Sequence, residues 1–156
     1  MVVLKDQGLI HEITTSVSYP GKGVFWAATY FGASRYDGRH WKGFLEKDSG
    51  LPSNFLNQVK AVDNDRAWFS TDKGLAYYDG VNWAVYRPAL DTHQPEMLVR
   101  DAAGTVTPVA VDSAPSHNYI LGMDFQGDDI WVATAHGLSH GIRIKTPAER
   151  LAAQQH

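Results

Sequence analysis

Sliding the 156-residue sequence against itself by 42 positions superimposes one set of aromatic and glycine marks on another. Gly8-Leu9 falls on Gly50-Leu51, Val17 on Val59, Trp26 on Trp68, Thr29 on Thr71, Gly32 on Gly74, Tyr36-Asp37-Gly38 on Tyr78-Asp79-Gly80 and Trp41 on Trp83. A third, partial copy appears 63 positions further on, where Pro115-Ser116 matches Pro52-Ser53, Trp131 matches Trp68, Thr134 matches Thr71 and Gly137-Leu138 matches Gly74-Leu75. Self-similarity at this period confines the chain to architectures in which each unit is one small sheet covered by its neighbours. A period of about 40 to 45 residues carrying four short strands is that of propeller blades.

The second copy divides cleanly. Strands are expected at Leu56 to Val62, Ala67 to Thr71, Leu75 to Tyr78 and Trp83 to Tyr86, with Asp63-Asn64-Asp65 and Asp79-Gly80 as turns. The second strand of each unit is a continuous apolar run, as expected for a strand covered on both faces. Pro20 falls in the first strand of the first unit, which is tolerable only at a sheet edge. The expected fold is all-β: three four-stranded antiparallel blades over 8–49, 50–88 and 112–145, a hairpin insertion over 89–111 and a short C-terminal helix over 146–156. That helix rests on a capping pattern, Thr146-Pro147-Ala148-Glu149. The third copy has no Tyr-Asp-Gly turn and no partner for Trp83. Because Val2-Val3 aligns with Phe44-Leu45, residues 1–4 are expected to supply a missing outer strand.

Lys and Arg number 14 against 17 Asp and Glu, for a net charge of −3. Without a basic cluster, neither nucleic acid nor an anionic membrane surface is an expected partner. No apolar run is long enough to span a bilayer, and Met1 to Asp6 lacks the form of a secretion signal. The absence of cysteine removes disulfides and thiolate chemistry, and it suits the periplasm as well as the cytoplasm. Compartment stays open on these grounds.

The series Gly50-Leu51-Pro52-Ser53-Asn54, Trp68-Phe69-Ser70-Thr71, Gly74-Leu75, Tyr78-Asp79-Gly80 and Trp83 resembles the two-component regulator propeller repeat. The resemblance covers nearly all of the second copy, most of the first and half of the third. It implies an extracytoplasmic sensing domain of a bacterial regulator, ligand-binding and coupled to a separate output domain. No kinase, receiver or helix-turn-helix segment is present, so any output would belong to a partner.

Three blades do not close a ring. A homodimer is therefore expected, in which two chains supply six blades and the start of each completes the end of the other. The rival reading is a segment of a longer propeller.

The tryptophans occupy repeat positions and read as frame. Specific function is expected on the rim, where the turns from the second to the third strand meet the connections that enter each blade. The expected ligand-binding residues there are His11, Glu12, Tyr30, Ser53, Asn54, Asp72, Lys73, His117 and His136. The ligand is a small molecule, glycan or protein. No cofactor, metal site or catalytic residue is expected: nucleophile elbow, phosphate loop and paired carboxylates are all missing, and Asp63-Asn64-Asp65 lacks the glycine and later oxygens of a calcium loop. The alternative is a metal-assisted enzyme by analogy with the streptogramin lyases, with His117, His136 and Glu12 converging at the channel mouth. A further alternative is a protein-interaction scaffold built on the insertion and the C-terminal helix.

Overall fold

The computed structural model describes residues 8–142. The expected outer strand from residues 1–4 and the expected helix over 146–156 lie outside the described residues. Among the described residues the chain is all-β, in three antiparallel sheets. The first contains β1 (Thr14–Gly21), β2 (Val24–Thr29), β3 (Gly32–Tyr36) and β4 (Trp41–Phe44) in that order. The second repeats it with β5 (Leu56–Ala61), β6 (Ala67–Thr71), β7 (Gly74–Tyr78) and β8 (Trp83–Pro88). The inserted hairpin, β9 (Pro95–Arg100) and β10 (Val106–Ala110), pairs onto β8 from Trp83↔Arg100 to Pro88↔Pro95, making this a sheet of six strands. The third sheet has three: β11 (Ile120–Gln126), β12 (Asp129–Thr134) and β13 (Gly137–Gly141). Pro20 lies in β1, an edge strand, where its missing N–H breaks no ladder.

Local chemistry explains why the same three-strand meander forms three times. At the turn after each second strand a threonine hydroxyl donates to the carbonyl of the glycine that opens the third strand: Thr29 to Gly32 at 2.7 Å, Thr71 to Gly74 at 2.7 Å, Thr134 to Gly137 at 3.0 Å. The same oxygen accepts the N–H two residues on, from Phe31, Lys73 and His136. One side chain thus closes the turn that the backbone ladder leaves open. The turns at Asp37 and Asp79 work alike, each carboxylate accepting two backbone N–H groups.

The sheets stack face to face in chain order. Trp26, Phe44, Val59, Phe69, Tyr78 and Trp83 fill the first junction, and Leu75, Ile120, Met123 and Val132, with Trp68 and Tyr86 against them, fill the second. The tryptophan of each second strand is covered by its cross-strand partner on the third: Arg35 lies over Trp26 at 5.6 Å, Tyr77 tilts onto Trp68 at 4.6 Å, and His140 stacks on Trp131 at 4.0 Å. The expected two-sided cover fails for β12. Trp131 and Ala133 are exposed, because no described sheet lies beyond the third.

The innermost strands are bridged by side chains rather than by a ladder. Thr15 donates to the Leu56 carbonyl at 2.8 Å and Ser18 accepts from Ala61 N–H at 3.0 Å. At the second junction Asn57 donates to the Ile120 carbonyl at 2.7 Å and Gln58 accepts from Met123 N–H at 2.6 Å. Asn57 stands in register with Thr15, and Gln58 with Ser16. The longer side chains span a wider gap between the inner strands.

These contacts also correct the sequence alignment of the third copy. Leu56 pairs with Thr71 as Ile120 pairs with Thr134, so the offset entering the third blade is 64, not 63. The offset of 63 resumes at β12, because the connection between Phe125 and Ile130 is one residue shorter than that between Ala61 and Ala67. His117 therefore corresponds to Ser53 and His11, and Asn118 to Asn54 and Glu12.

Candidate functional site

The entries to β1, β5 and β11 and the turns after β2, β6 and β12 share one end of the sheets, as the antiparallel pairing requires. All nine expected rim residues lie there, and they do three different things.

Some hold the frame. Ser53 is buried, and its hydroxyl accepts the Phe55 N–H at 3.0 Å. His11 and His117 take the same position and use Nδ1 in the same way, accepting from Ile13 N–H at 3.1 Å and Tyr119 N–H at 3.0 Å. Asn54 Oδ1 accepts the Glu46 N–H at 2.8 Å, tying the second blade's entry to the chain leaving the first. Tyr30 stacks on Phe55 across the junction, with centroids 4.5 Å apart and planes 13° apart. Others face solvent: Glu12 is exposed on the first blade, and Lys73 points its ammonium to Glu46 at 3.6 Å.

The remainder gather at the second junction. His117 and His136 lie 5.3 Å apart, centroid to centroid, beside a cavity of about 540 Å³. The start of the insertion forms one wall, with His93 from the loop and Pro88 and Pro95 from the strand ends that flank it. His93 has a φ of 56°, a left-handed conformation in which histidine is enriched, and its N–H donates to the Ala89 carbonyl at 2.9 Å. Asn118 also lines the cavity, and its Oδ1 is buried without a hydrogen-bond partner. Asp72 has a similarly unpartnered buried Oδ1. Sequence reasoning missed His93, Asn118 and Pro88. The first two lie where the repeat is interrupted or slipped by one residue, so no copy pointed to them.

Glu12 and the His117–His136 pair sit on different blades, and among the described residues no carboxylate lines the cavity. Among the described residues no group of three or more His, Asp or Glu side chains is placed to hold a metal ion. A second cavity, of about 530 Å³, lies under the turn of the inserted hairpin, with Phe44, Tyr78 and Trp83 as its apolar wall and Lys42 and Arg100 at its sides. Arg100 donates from Nη1 to the Ser49 carbonyl there, and Lys42 Nζ lies over the Phe44 ring at 4.9 Å.

No family model and no curated protein matches the chain. Among solved structures it is similar to the extracellular domain of a hybrid two component system from B. thetaiotaomicron, at 18% identity over 90% of this chain and a TM-score of 0.50. It is also similar to the extracellular domain of a second such system from that organism, at 13% identity over 87% of the chain and a TM-score of 0.41. The chain spans about a quarter of their length, 24% of one and 28% of the other. At this identity the first likeness bears on the fold alone, and it agrees with a sheet-rich blade structure.

Proposed function

We propose that the chain is a non-catalytic recognition module of an extracytoplasmic sensory protein, a set of blades of the two-component regulator propeller type whose rim binds a ligand. The observation that carries this reading is the contrast between frame and rim. Threonine caps, strand-spanning tryptophans and entry caps keep their roles through the units, whereas Tyr30 differs from Asp72 and Lys73 from His136 at equivalent positions, at the end of the sheets where a cavity opens. The extracellular domain of a hybrid two component system that the chain resembles in fold agrees with the setting that the repeat resemblance implies. The separation of Glu12 from the histidine pair weighs against lyase-type chemistry, which needs both at one point.

The test is a protein-observed NMR screen with a chemically diverse fragment library. Hits should cluster on residues 114–118, 134–137 and 88–95. A library that perturbs only other surfaces would overturn the rim reading.

Ring closure by a second copy belongs to the same proposal. Val17 is 71% exposed where its counterpart Val59, covered by the first blade, is 1% exposed. Trp131 is 36% exposed where Trp26 is fully buried. The two open faces are thus the two halves of the contact already made inside the chain, which favours head-to-tail packing of the third blade on the first blade of a partner. Sedimentation should give twice the chain mass; a stable species of one chain mass would remove the dimer.

A further inference from the structure

Each of the first two blades reaches the next through polar side chains, and the third has none to spare. Across the first junction Thr15 donates to the Leu56 carbonyl, Ser18 accepts from Ala61 N–H, and Arg35 donates to the Asn64 carbonyl and to Asp65. Across the second, Asn57 donates to the Ile120 carbonyl, Gln58 accepts from Met123 N–H, and Lys60 pairs with Asp124. The ladders fix the third set. Gly122 pairs with Ala133 as Gln58 pairs with Ser70, and Asp124 with Trp131 as Lys60 with Trp68. Leu121 therefore stands for Asn57, Gly122 for Gln58 and Asp124 for Lys60. Leucine and glycine bring no side-chain donor or acceptor. Asp124 is bonded back to Lys60, and His140, the counterpart of Arg35, is bonded to Asp129 of its own blade.

What the third blade presents instead is apolar. Leu121 is 52% exposed, and Trp131 and Leu138 are exposed where their counterparts Trp26 and Leu75 are buried at a junction. The open face of the first blade matches it. Ser18 points to the second blade, so Val17 and Tyr19, its neighbours along β1, point away from it. Both are exposed, and Tyr19 stacks on the exposed Phe25 with centroids 4.7 Å apart. Apolar groups gathered on two end faces mark an association surface. At each internal junction the outgoing face of one blade is covered by the incoming face of the next. Among the described residues only the first blade has its incoming face free.

We infer that the third blade docks on the first blade of a second copy through an apolar junction centred on Leu121, without the side-chain bridges that hold the internal junctions. The inference rests on the ring closure proposed above and gives that contact its chemistry. Thr14 and Val17 of the partner subunit hold the places of Ile120 and Met123, and their carbonyl and N–H meet no bridging side chain. The contact between copies is therefore the weakest of the three and opens without unfolding a blade.

Sedimentation of the full chain over a range of concentrations measures the contact. Leu121→Lys on one face and Tyr19→Lys on the other should each raise the dimer dissociation constant at least tenfold, because each buries an unpaired charge. Val81→Lys, at an exposed turn of the second blade, should leave it unchanged. All three side chains are exposed, so amide NMR dispersion should be retained, which separates lost association from lost fold. Mixing the Leu121→Lys and Tyr19→Lys chains should restore dimer, since a mixed pair keeps one junction free of both substitutions. Cooling from about 25 to 5 °C should loosen the wild-type dimer, as apolar association weakens in the cold. A dimer broken by Leu121→Lys but not by Tyr19→Lys joins third blade to third blade and overturns the inference. A dimer that withstands Leu121→Lys, or tightens on cooling, is held by polar contacts, so the apolar junction fails while ring closure stands. A single chain mass at every concentration removes both.

Discussion

At the rim, side chains close the first junction between blades where a cavity opens at the second. Across the first, Tyr30 stacks on Phe55, Asn54 is bonded to Glu46, and short hydroxyl side chains on β1 reach the backbone of β5. Across the second, Asp72 stands in register with Tyr30, Pro88 with Glu46, and Asn57 and Gln58 with Thr15 and Ser16, reaching over a wider gap. The pairing of the first three strands and the threonine caps after the second are the same in all three units. One frame therefore supports a joint whose rim is closed by side chains and a joint whose rim holds a cavity, and the difference lies in a handful of side chains at one end. The second joint is also the one beside the insertion, whose opening loop forms a wall of the cavity.

The largest test of this contrast is the tryptophan series. Trp26 is fully buried among Phe44, Phe69 and Tyr78, so Trp26→Ala should cost about 3–5 kcal/mol. Trp68 is half-buried against Phe125 and Tyr86, and Trp131 has one open face. Urea denaturation should rank the losses Trp26, Trp68, Trp131. Equal losses at Trp26 and Trp68 would erase the distinction between the joints, and a Trp131 loss as large as that at Trp26 would place a partner sheet on the third blade.

Next in size is Gly50→Ala. A Cβ at Gly50 would lie 2.2 Å from the Trp83 Cβ, so the entry segment or the tryptophan must move. The expected loss is about 1–3 kcal/mol, seen as a lower urea midpoint at unchanged slope. At Gly122, by the second junction, the same change meets only the end of the Gln58 side chain at 3.3 Å. Gly122→Ala should be the milder of the two, and the reverse order would contradict the wider spacing there.

Of similar size is the removal of one threonine cap. Thr71→Val deletes both the bond to the Gly74 carbonyl and the acceptor for Lys73 N–H inside a buried turn, at a cost of about 1–3 kcal/mol. Thr134→Val removes the same two bonds at a less enclosed turn and should cost less by the same assay. In addition, the Thr134 hydroxyl lies 3.0 Å from that of Ser116, so this variant should also disturb the wall of the cavity.

What could be read from the sequence follows the same division. Positions repeated for a frame reason were legible: the Gly-Leu opening goes with a tryptophan because Gly8 and Gly50 pass directly over Trp41 and Trp83, and the third unit lacks both. The strands of the second unit lie where the alternation and turn chemistry put them, to within two residues at each end. The rim was legible as a location but not as roles. Ser53, Asn54 and His11 look like free ligand groups in a loop, and only the fold shows their acceptors turned inward on backbone N–H groups. The cavity was invisible because its signal is an absence, the N–H that Pro88 does not have, and because the shorter connection before β12 shifts the third entry by one residue and hides the likeness of Asn118 to Asn54. Other co-varying details were equally silent. Ile10 and Ser116 donate their N–H to Ser34 and Ser139, and the second unit has Pro52 and Ala76 at these positions, with neither donor nor acceptor.

The smallest expected effect is electrostatic and belongs to the second junction alone. Lys60 bridges to Asp124 at 3.1 Å where the first junction uses the uncharged pair of Ser18 and Ala61 N–H. The hydrogen bond from the Lys60 ammonium, followed by that from the Phe125 N–H and the charge of Lys60, holds the Asp124 carboxyl below the usual carboxylate range. A group depressed in the folded state favours folding above its unfolded value, near pH 3.9, and that contribution is lost as the pH falls through the lower folded value. Acidification from pH 5 to pH 3 should therefore loosen β11 from β5 sooner than β5 from β1, read as faster amide hydrogen exchange at Met123 than at Ala61. Both residues donate across their junctions, so they report the two joints in the same terms. Asp124→Asn should flatten the acid response at Met123 and leave Ala61 unchanged. Because the pair is exposed, 0.5 M salt should produce part of the same loosening at neutral pH. An acid response equal at the two amides would mean that the joints differ in width and polarity but not in charge.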